Sequence, residues 1–250
     1  MTLPDPHSWE PFDPPPSAHR REMLGWLSVV QLLGPRVPAV DPQRSDLVPV
    51  LLVPGFLTGD WSMIPLARYL RRTGHPTFTS GLVMNSGCTE VVLDVLEQRL
   101  ESVVAEAGRP VALVGQSRGG TLCRMLAARR PELLAGLVTL GSPLLHQLAT
   151  SRTVIRQVDL MARLNRSGWP WLLSADCLLG GCAERTSALL ATPLPRGLPF
   201  ASIYSRSDGV VDWRSCLDPA AEHLEVRSTH NGMGTNRAVQ QFTTSRLAAL

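Results

Sequence analysis

A chain of 250 residues, 44% hydrophobic and 18% charged, carries enough apolar material for one large, well-buried domain, and its composition is that of a globular protein. The formal charge is only +3, every basic residue is arginine, and the arginines are scattered among 5% aromatics, which sets aside a nucleic-acid footprint with stacking platforms. Five cysteines, Cys88, Cys123, Cys177, Cys182 and Cys216, show no metal-ligand spacing; their odd number leaves at least one thiol free, and Cys177 and Cys182 lie close enough in sequence for a local disulfide.

Residues 1 to 16 contain Pro4, Pro6, Pro11 and the run Pro14-Pro15-Pro16, which favours an extended surface segment. The basic start and apolar core of a secretory signal are missing, so the expected location is cytoplasmic. Ser17 can cap a following helix. Met23 to Leu33 is too short to span a bilayer and is interrupted by Gly25, Ser28 and Gln31; it reads as an amphipathic helix, packed on the core or in weak contact with a lipid surface. Leu47 to Val53 is a continuous apolar run, as in a strand buried on both faces, and stops at Pro54-Gly55-Phe56. Helical spacing covers Trp61 to Arg72, with Met63, Leu66, Ala67 and Leu70 inward, and Thr77 to Thr79 is a short strand.

Thr89 opens the longest helix, whose inner face is expected from Val91, Val92, Val95, Leu96, Leu100, Val103 and Val104, and Gly108 ends it. A strand at Val111 to Val114, a helix to about Arg130 and a strand at Leu137 to Leu140 complete a repeated β-α-β pattern, hence an α/β fold with a mostly parallel sheet and helices on both faces. After Gly141-Ser142-Pro143 the strand signals vanish until about residue 197. This stretch, leucine-rich with Trp169 and Trp171, is expected to form short helices as a cap over the carboxyl ends of the strands. The resulting division is an N-terminal segment 1–47, a core of 48–143 and 198–250, and a cap insertion 144–197. Strands at Pro199 to Ser205 and Leu224 to Arg227 follow, then a helix from Thr235 to Leu250 with Val239, Phe242 and Leu247 inward.

Between the strand at Val111 and its helix stands Gly115-Gln116-Ser117-Arg118-Gly119, a serine in a strained turn with glycines that make room for its neighbours. A serine hydroxyl becomes a useful nucleophile only with a base in reach and a group that orients the base. Asp208 follows the strand Pro199 to Ser205 and His230 follows the strand Leu224 to Arg227, so acid and base come after Ser117 in chain order. Asp212 is a rival acid, but Asp208 lies nearer the strand end and precedes a glycine. His223 precedes the last strand, at the wrong end of the sheet. The amide of Arg118 is one candidate oxyanion donor; the second comes from Pro54-Gly55-Phe56-Leu57, with Phe56 first and Leu57 as the alternative. The Arg118 side chain is expected to face solvent or the cap without a chemical role.

Through Pro54-Gly55-Phe56, Gly115 to Gly119, Gly141-Ser142-Pro143, Ser207 to Val211 and the His230 segment, the chain resembles α/β-hydrolases of the bacterial lipase and esterase type over about Val48 to Met233. The resemblance implies an α/β-hydrolase fold and a serine hydrolase that cleaves carboxylic esters of hydrophobic acyl groups through an acyl-enzyme, with no metal and no organic cofactor. Its partner would be a small-molecule acyl ester or thioester. The same triad would also serve a thioesterase, an acyltransferase or a lactone-forming enzyme, and a hydrolase fold can host a silent binding protein. Pro54 stands where many lipases have histidine, so support from that side chain is missing. Residues 1–47 fall outside the resemblance.

Overall fold

Six short runs pair into one all-parallel sheet in the order β2-β1-β3-β4-β5-β6: β1 Val50–Val53, β2 Thr77–Thr79, β3 Val111–Gln116, β4 Leu134–Leu140, β5 Phe200–Tyr204 and β6 Glu222–Glu225. The computed structural model describes residues 12–15, 17–18, 21–22, 38–43 and 45–250. The helix expected at Met23 to Leu33 and most of the proline-rich start lie outside the described residues. The strand order reverses at β1: the chain leaves it for β2 on one side, then returns to β3 on the other. Such a switch point opens a crevice at the carboxyl ends of the two flanking strands. The register Val53 to Gly115 brings the loop after β1 against the turn after β3.

Alternate residues of the strands feed two core layers. Leu51, Val53, Val111 and Leu113 face α2 (Thr89–Ala107) and α3 (Arg118–Arg129), while Val50, Leu52, Ala112 and Val114 face α1 (Ile64–Arg72) and α7 (Arg237–Leu247). Each fully buried aliphatic side chain contributes about 1.5–3 kcal/mol, so the two layers together dominate stability. Met63, Leu66, Ala67 and Leu70 are buried as the helical spacing predicts. The inner stripe of α2 is rotated from expectation: Val91 is 59% and Val95 is 46% exposed, whereas Leu93 is fully buried. Apolar residues stand on three sides of this helix, and the row 92, 93, 96, 100, 103 and 107 is the one that packs.

Element ends moved for local reasons. Pro49 lacks an N–H, so β1 starts at Val50 and not at the expected Leu47, although the Pro49 carbonyl still accepts from Ala112. The edge strand β6, Glu-His-Leu-Glu, has no apolar run to announce it and sits two residues before its expected start. Asn236 caps α7 by accepting from the amides of Ala238 and Val239. Between β4 and β5 the chain forms α4 (Arg152–Arg166), α5 (Asp176–Leu179) and α6 (Gly181–Ala191) and no named strand. Val158, Leu173, Cys177 and Cys182 of this stretch form a small apolar cluster with Phe56 and Cys88 of the sheet side. Among the described residues no helix is long and apolar enough to cross a membrane.

Candidate active site

Ser117 occupies the turn between β3 and α3 at φ 54° and ψ −130°, a region that costs a non-glycine residue about 1–3 kcal/mol. The flanking glycines make the turn possible. A Cβ on Gly115 would stand 2.5 Å from the Gly120 amide nitrogen, and one on Gly119 would stand 2.4 Å from the Val53 carbonyl oxygen. The amide of Ser117 donates to the Leu140 carbonyl (2.8 Å), which ties the turn to β4. Ser117 is buried at the base of a cavity of about 480 Å³, a size suited to a small organic ligand.

His230 lines the same cavity. Its Nδ1 donates to Asp208 Oδ2 at 2.7 Å, and both side chains are more than nine-tenths buried. The other carboxylate oxygen, Asp208 Oδ1, accepts from the amides of Val210 and Val211 at 2.8 Å each, which fixes the orientation of the acid. Burial pushes the His230 imidazole down, but the charge and hydrogen bond of Asp208, aided by Glu22, outweigh it and hold its pKa above 6.5. With Nδ1 donating to Asp208, Nε2 is left unbonded among the described residues. Ser117 and His230 thus share the cavity, yet among the described residues Ser117 Oγ makes no hydrogen bond. A catalytic link of this kind commonly tightens only with substrate bound.

Asp212 and His223 have partners of their own. Asp212 caps a short 3-10 turn by accepting from the Arg214 amide (3.0 Å) and pairs with the Arg214 guanidinium (3.3 Å). His223 sits on β6 and its Nε2 donates to the Asp218 carbonyl at 2.9 Å.

Of the two expected loop donors, Leu57 is spent: its amide donates to the Asn85 carbonyl at 3.1 Å, and its φ is 56°. Among the described residues the Phe56 amide has no acceptor. The Arg118 amide belongs to the first turn of α3, where N–H groups lack intrahelical partners. A Cβ on Gly55 would stand 3.2 Å from Ser117 Cβ, so the loop abuts the serine.

Three side chains escaped sequence reasoning. Glu22, from the segment outside the resemblance, is 7% exposed and lines the cavity. Its carboxylate accepts from the amides of Gly209 (3.0 Å), His230 (2.6 Å) and Asn231 (3.1 Å), joining the acid loop to the histidine loop. Asn85 braces the loop after β1: its Nδ2 donates to the Pro54 carbonyl (2.9 Å) and its amide to the Thr58 carbonyl (2.8 Å). The Arg118 side chain, expected to face solvent or the cap, instead turns along the loop that leads into α2. It donates to the carbonyls of Asn85 (3.2 Å) and Gly87 (2.7 Å) and to Thr89 Oγ1 (3.4 Å), and lies 5.9 Å from the Phe56 ring centre. Loss of hydration on burial brings its pKa down to about 10. Nothing in the sequence around Glu22, Asn85 or Arg118 marks these long-range contacts.

A parallel sheet, a serine in a strained strand-to-helix turn, and a histidine-aspartate pair on later loops define the α/β-hydrolase fold. A sequence model of that fold matches residues 88–169, the stretch from α2 through the serine turn and β4 into α4. Solved structures agree. One of two metagenome-derived lipolytic enzymes, LipS and LipT, superposes with a TM-score of 0.58 at 17% identity, over 86% of this chain and 100% of its own. A Bacillus licheniformis lipase in mature form gives 0.59 at 15% identity, over 86% of this chain and 96% of its own. A thioesterase domain from the curacin biosynthetic pathway gives 0.53 at 15% identity, over 82% and 92%. At these identities the likeness is one of fold. The chain has the α/β-hydrolase fold.

Proposed function

We propose that this protein is a serine hydrolase that cleaves carboxylic esters of hydrophobic acyl groups through an acyl-enzyme. The observation that carries the reading is the buried 2.7 Å contact of His230 Nδ1 with Asp208 Oδ2 in the wall of the cavity that Ser117 floors. Ser117 Oγ attacks the ester carbonyl carbon while His230 Nε2 takes its proton, and the carbonyl oxygen becomes an oxyanion received by the amides of Phe56 and Arg118. The ester C–O bond breaks as His230 returns the proton to the leaving alcohol. Water, deprotonated by His230, then attacks the acyl carbon and releases the acid and Ser117. Asp208 holds the imidazole in the productive tautomer and stabilises its protonated form. Glu22 does the same at one remove, through the backbone and its charge.

An acyl chain has apolar lining available in Val154, Val158, Leu173 and Leu178 of the helical insertion, together with Phe56 and Trp61. This supports reading residues 144–197 as a cap that selects the acyl group. Trp169 and Trp171, packed edge to face and more than half exposed on that insertion, offer a place for weak contact with a lipid aggregate. Turnover of p-nitrophenyl esters of graded chain length tests the reading. Ser117→Ala should lower kcat on the order of 10⁴-fold or more with the fold intact; undiminished turnover in that variant would refute it.

A thioesterase or acyltransferase would share every step up to the acyl-enzyme, and the likeness in fold to a thioesterase domain is the observation in its favour. The products decide. With an alcohol acceptor present, hydrolysis yields the free acid, whereas transfer yields a new ester or a lactone.

A further inference from the structure

Three of the five cysteines, silent by their spacing in sequence, meet in space. Cys88 precedes the first turn of α2, Cys177 lies in α5 and Cys182 in α6; Cys182 Sγ is 3.7 Å from Cys88 Sγ and 3.6 Å from Cys177 Sγ, and all three sulfurs fall within 4.8 Å of one another. All are free thiols, so the local disulfide open to Cys177 and Cys182 is not formed. For a tetrahedral zinc ion with Zn–S bonds of about 2.3 Å, the ligand sulfurs stand about 3.8 Å apart. The two separations from Cys182 are close to that value.

The first turn of α2 begins directly after Cys88, and N–H groups of a first helical turn lack intrahelical partners. The Arg118 guanidinium is a second, independent sign. Its hydrogen bonds go to two carbonyls and a hydroxyl, and among the described residues no carboxylate pairs with it. It reaches the carbonyl of Gly87 and the hydroxyl of Thr89, the residues on either side of Cys88. A buried cation without an anion is costly, and three neutral thiols supply none. Ser174 Oγ, 3.5 Å from Cys177 Sγ, adds an oxygen donor beside the cluster.

We propose that Cys88, Cys177 and Cys182 form a trithiolate site for one thiophilic divalent cation of the zinc type, which pins the helical insertion to the first turn of α2 beside the Ser117 loop. Three S–H bonds break, their protons go to solvent, and three metal–sulfur bonds form without any change of oxidation state. The site then carries a net charge of −1, which the Arg118 guanidinium balances. A disulfide is the competing chemistry, but it would use two sulfurs, need an oxidant, and leave Arg118 still without an anion.

The test uses the full chain, purified without chelator from zinc-supplemented medium, with zinc measured by plasma mass spectrometry and thiols counted after denaturation in chelator. One zinc per chain and five titratable thiols are expected. Cobalt(II) added to the stripped protein should give the sulfur-to-cobalt charge-transfer and d–d bands of a tetrahedral thiolate site. Cys88→Ser and Cys182→Ser should each lose the ion and the bands, while Cys123→Ser and Cys216→Ser, buried elsewhere, should keep both. Zinc should raise the Tm of the stripped wild type and leave that of Cys182→Ser unchanged. If Cys88→Ser fails to fold, the cobalt spectrum of the wild type still decides. Background zinc with no thiolate-to-cobalt band, or three titratable thiols in place of five, would overturn the proposal.

Discussion

His230 stands between two carboxylates, one bonded to its ring and one bonded to its backbone amide, and both raise its pKa against the pull of burial. A base works only when neutral, so activity should fall as pH drops through that raised value, and the acid limb of kcat/KM should lie above pH 6.5. Removing a negative charge near the imidazole lowers its pKa. Glu22→Gln should therefore shift the acid limb to lower pH and cost about 1–3 kcal/mol of stability, because a neutral amide cannot accept from three backbone N–H groups as a carboxylate does. A limb that stays in place in a pH–rate profile would remove Glu22 from the site's electrostatics. Ser117, Asp208 and His230 stand out in the sequence because each follows a strand end in a recognisable turn, and the structure bonds His230 to Asp208 and brings His230 and Ser117 to one cavity. Glu22 was not, since its three contacts span about 190 to 210 positions and its own neighbourhood gives no sign of them.

The elements meet at the serine turn with almost no free space. Gly119→Ala would push a methyl group into the carbonyl oxygens of Val53 and Pro54, 2.4 and 2.5 Å away, so β1 and α3 must separate. The expected cost is about 1–3 kcal/mol in a urea titration, with activity falling further because the oxyanion loop moves with β1. Asn85 and Arg118 hold that loop from the far side. Asn85→Ala should lower kcat by up to about 10²-fold, the scale of losing one oxyanion donor, with KM little changed; a rise in KM alone would show that Asn85 serves binding instead. The strands of this region announced themselves as apolar runs. The face of α2 did not, because Val91 and Val95 keep a helical period as well as the residues that actually pack.

Across the whole molecule, the helical insertion is tied back to the core by polar contacts as well as by the cavity wall. Arg124 of α3 pairs with Asp218 at 2.8 Å with both side chains buried, and its Nη2 donates to the carbonyl of Thr192 just after α6 (2.9 Å). Asp218→Asn leaves an uncompensated buried cation and should cost about 3–5 kcal/mol by urea denaturation; a cost below 1 kcal/mol would show that the cation is hydrated. The sheet, its helices and the order of the reactive residues could be read from local patterns of period and punctuation. The contacts that join distant segments, Arg124 to Asp218, Arg118 to Asn85 and the three cysteines to one another, depend on the finished fold and leave no local trace. The proposed reaction requires that Ser117 become acylated. A fluorophosphonate probe followed by peptide mass spectrometry should place one adduct on Ser117 of the wild type, lose it in Ser117→Ala, and weaken it in His230→Ala; a folded wild-type protein that stays unlabelled, or carries its adduct on another residue, would contradict the claim.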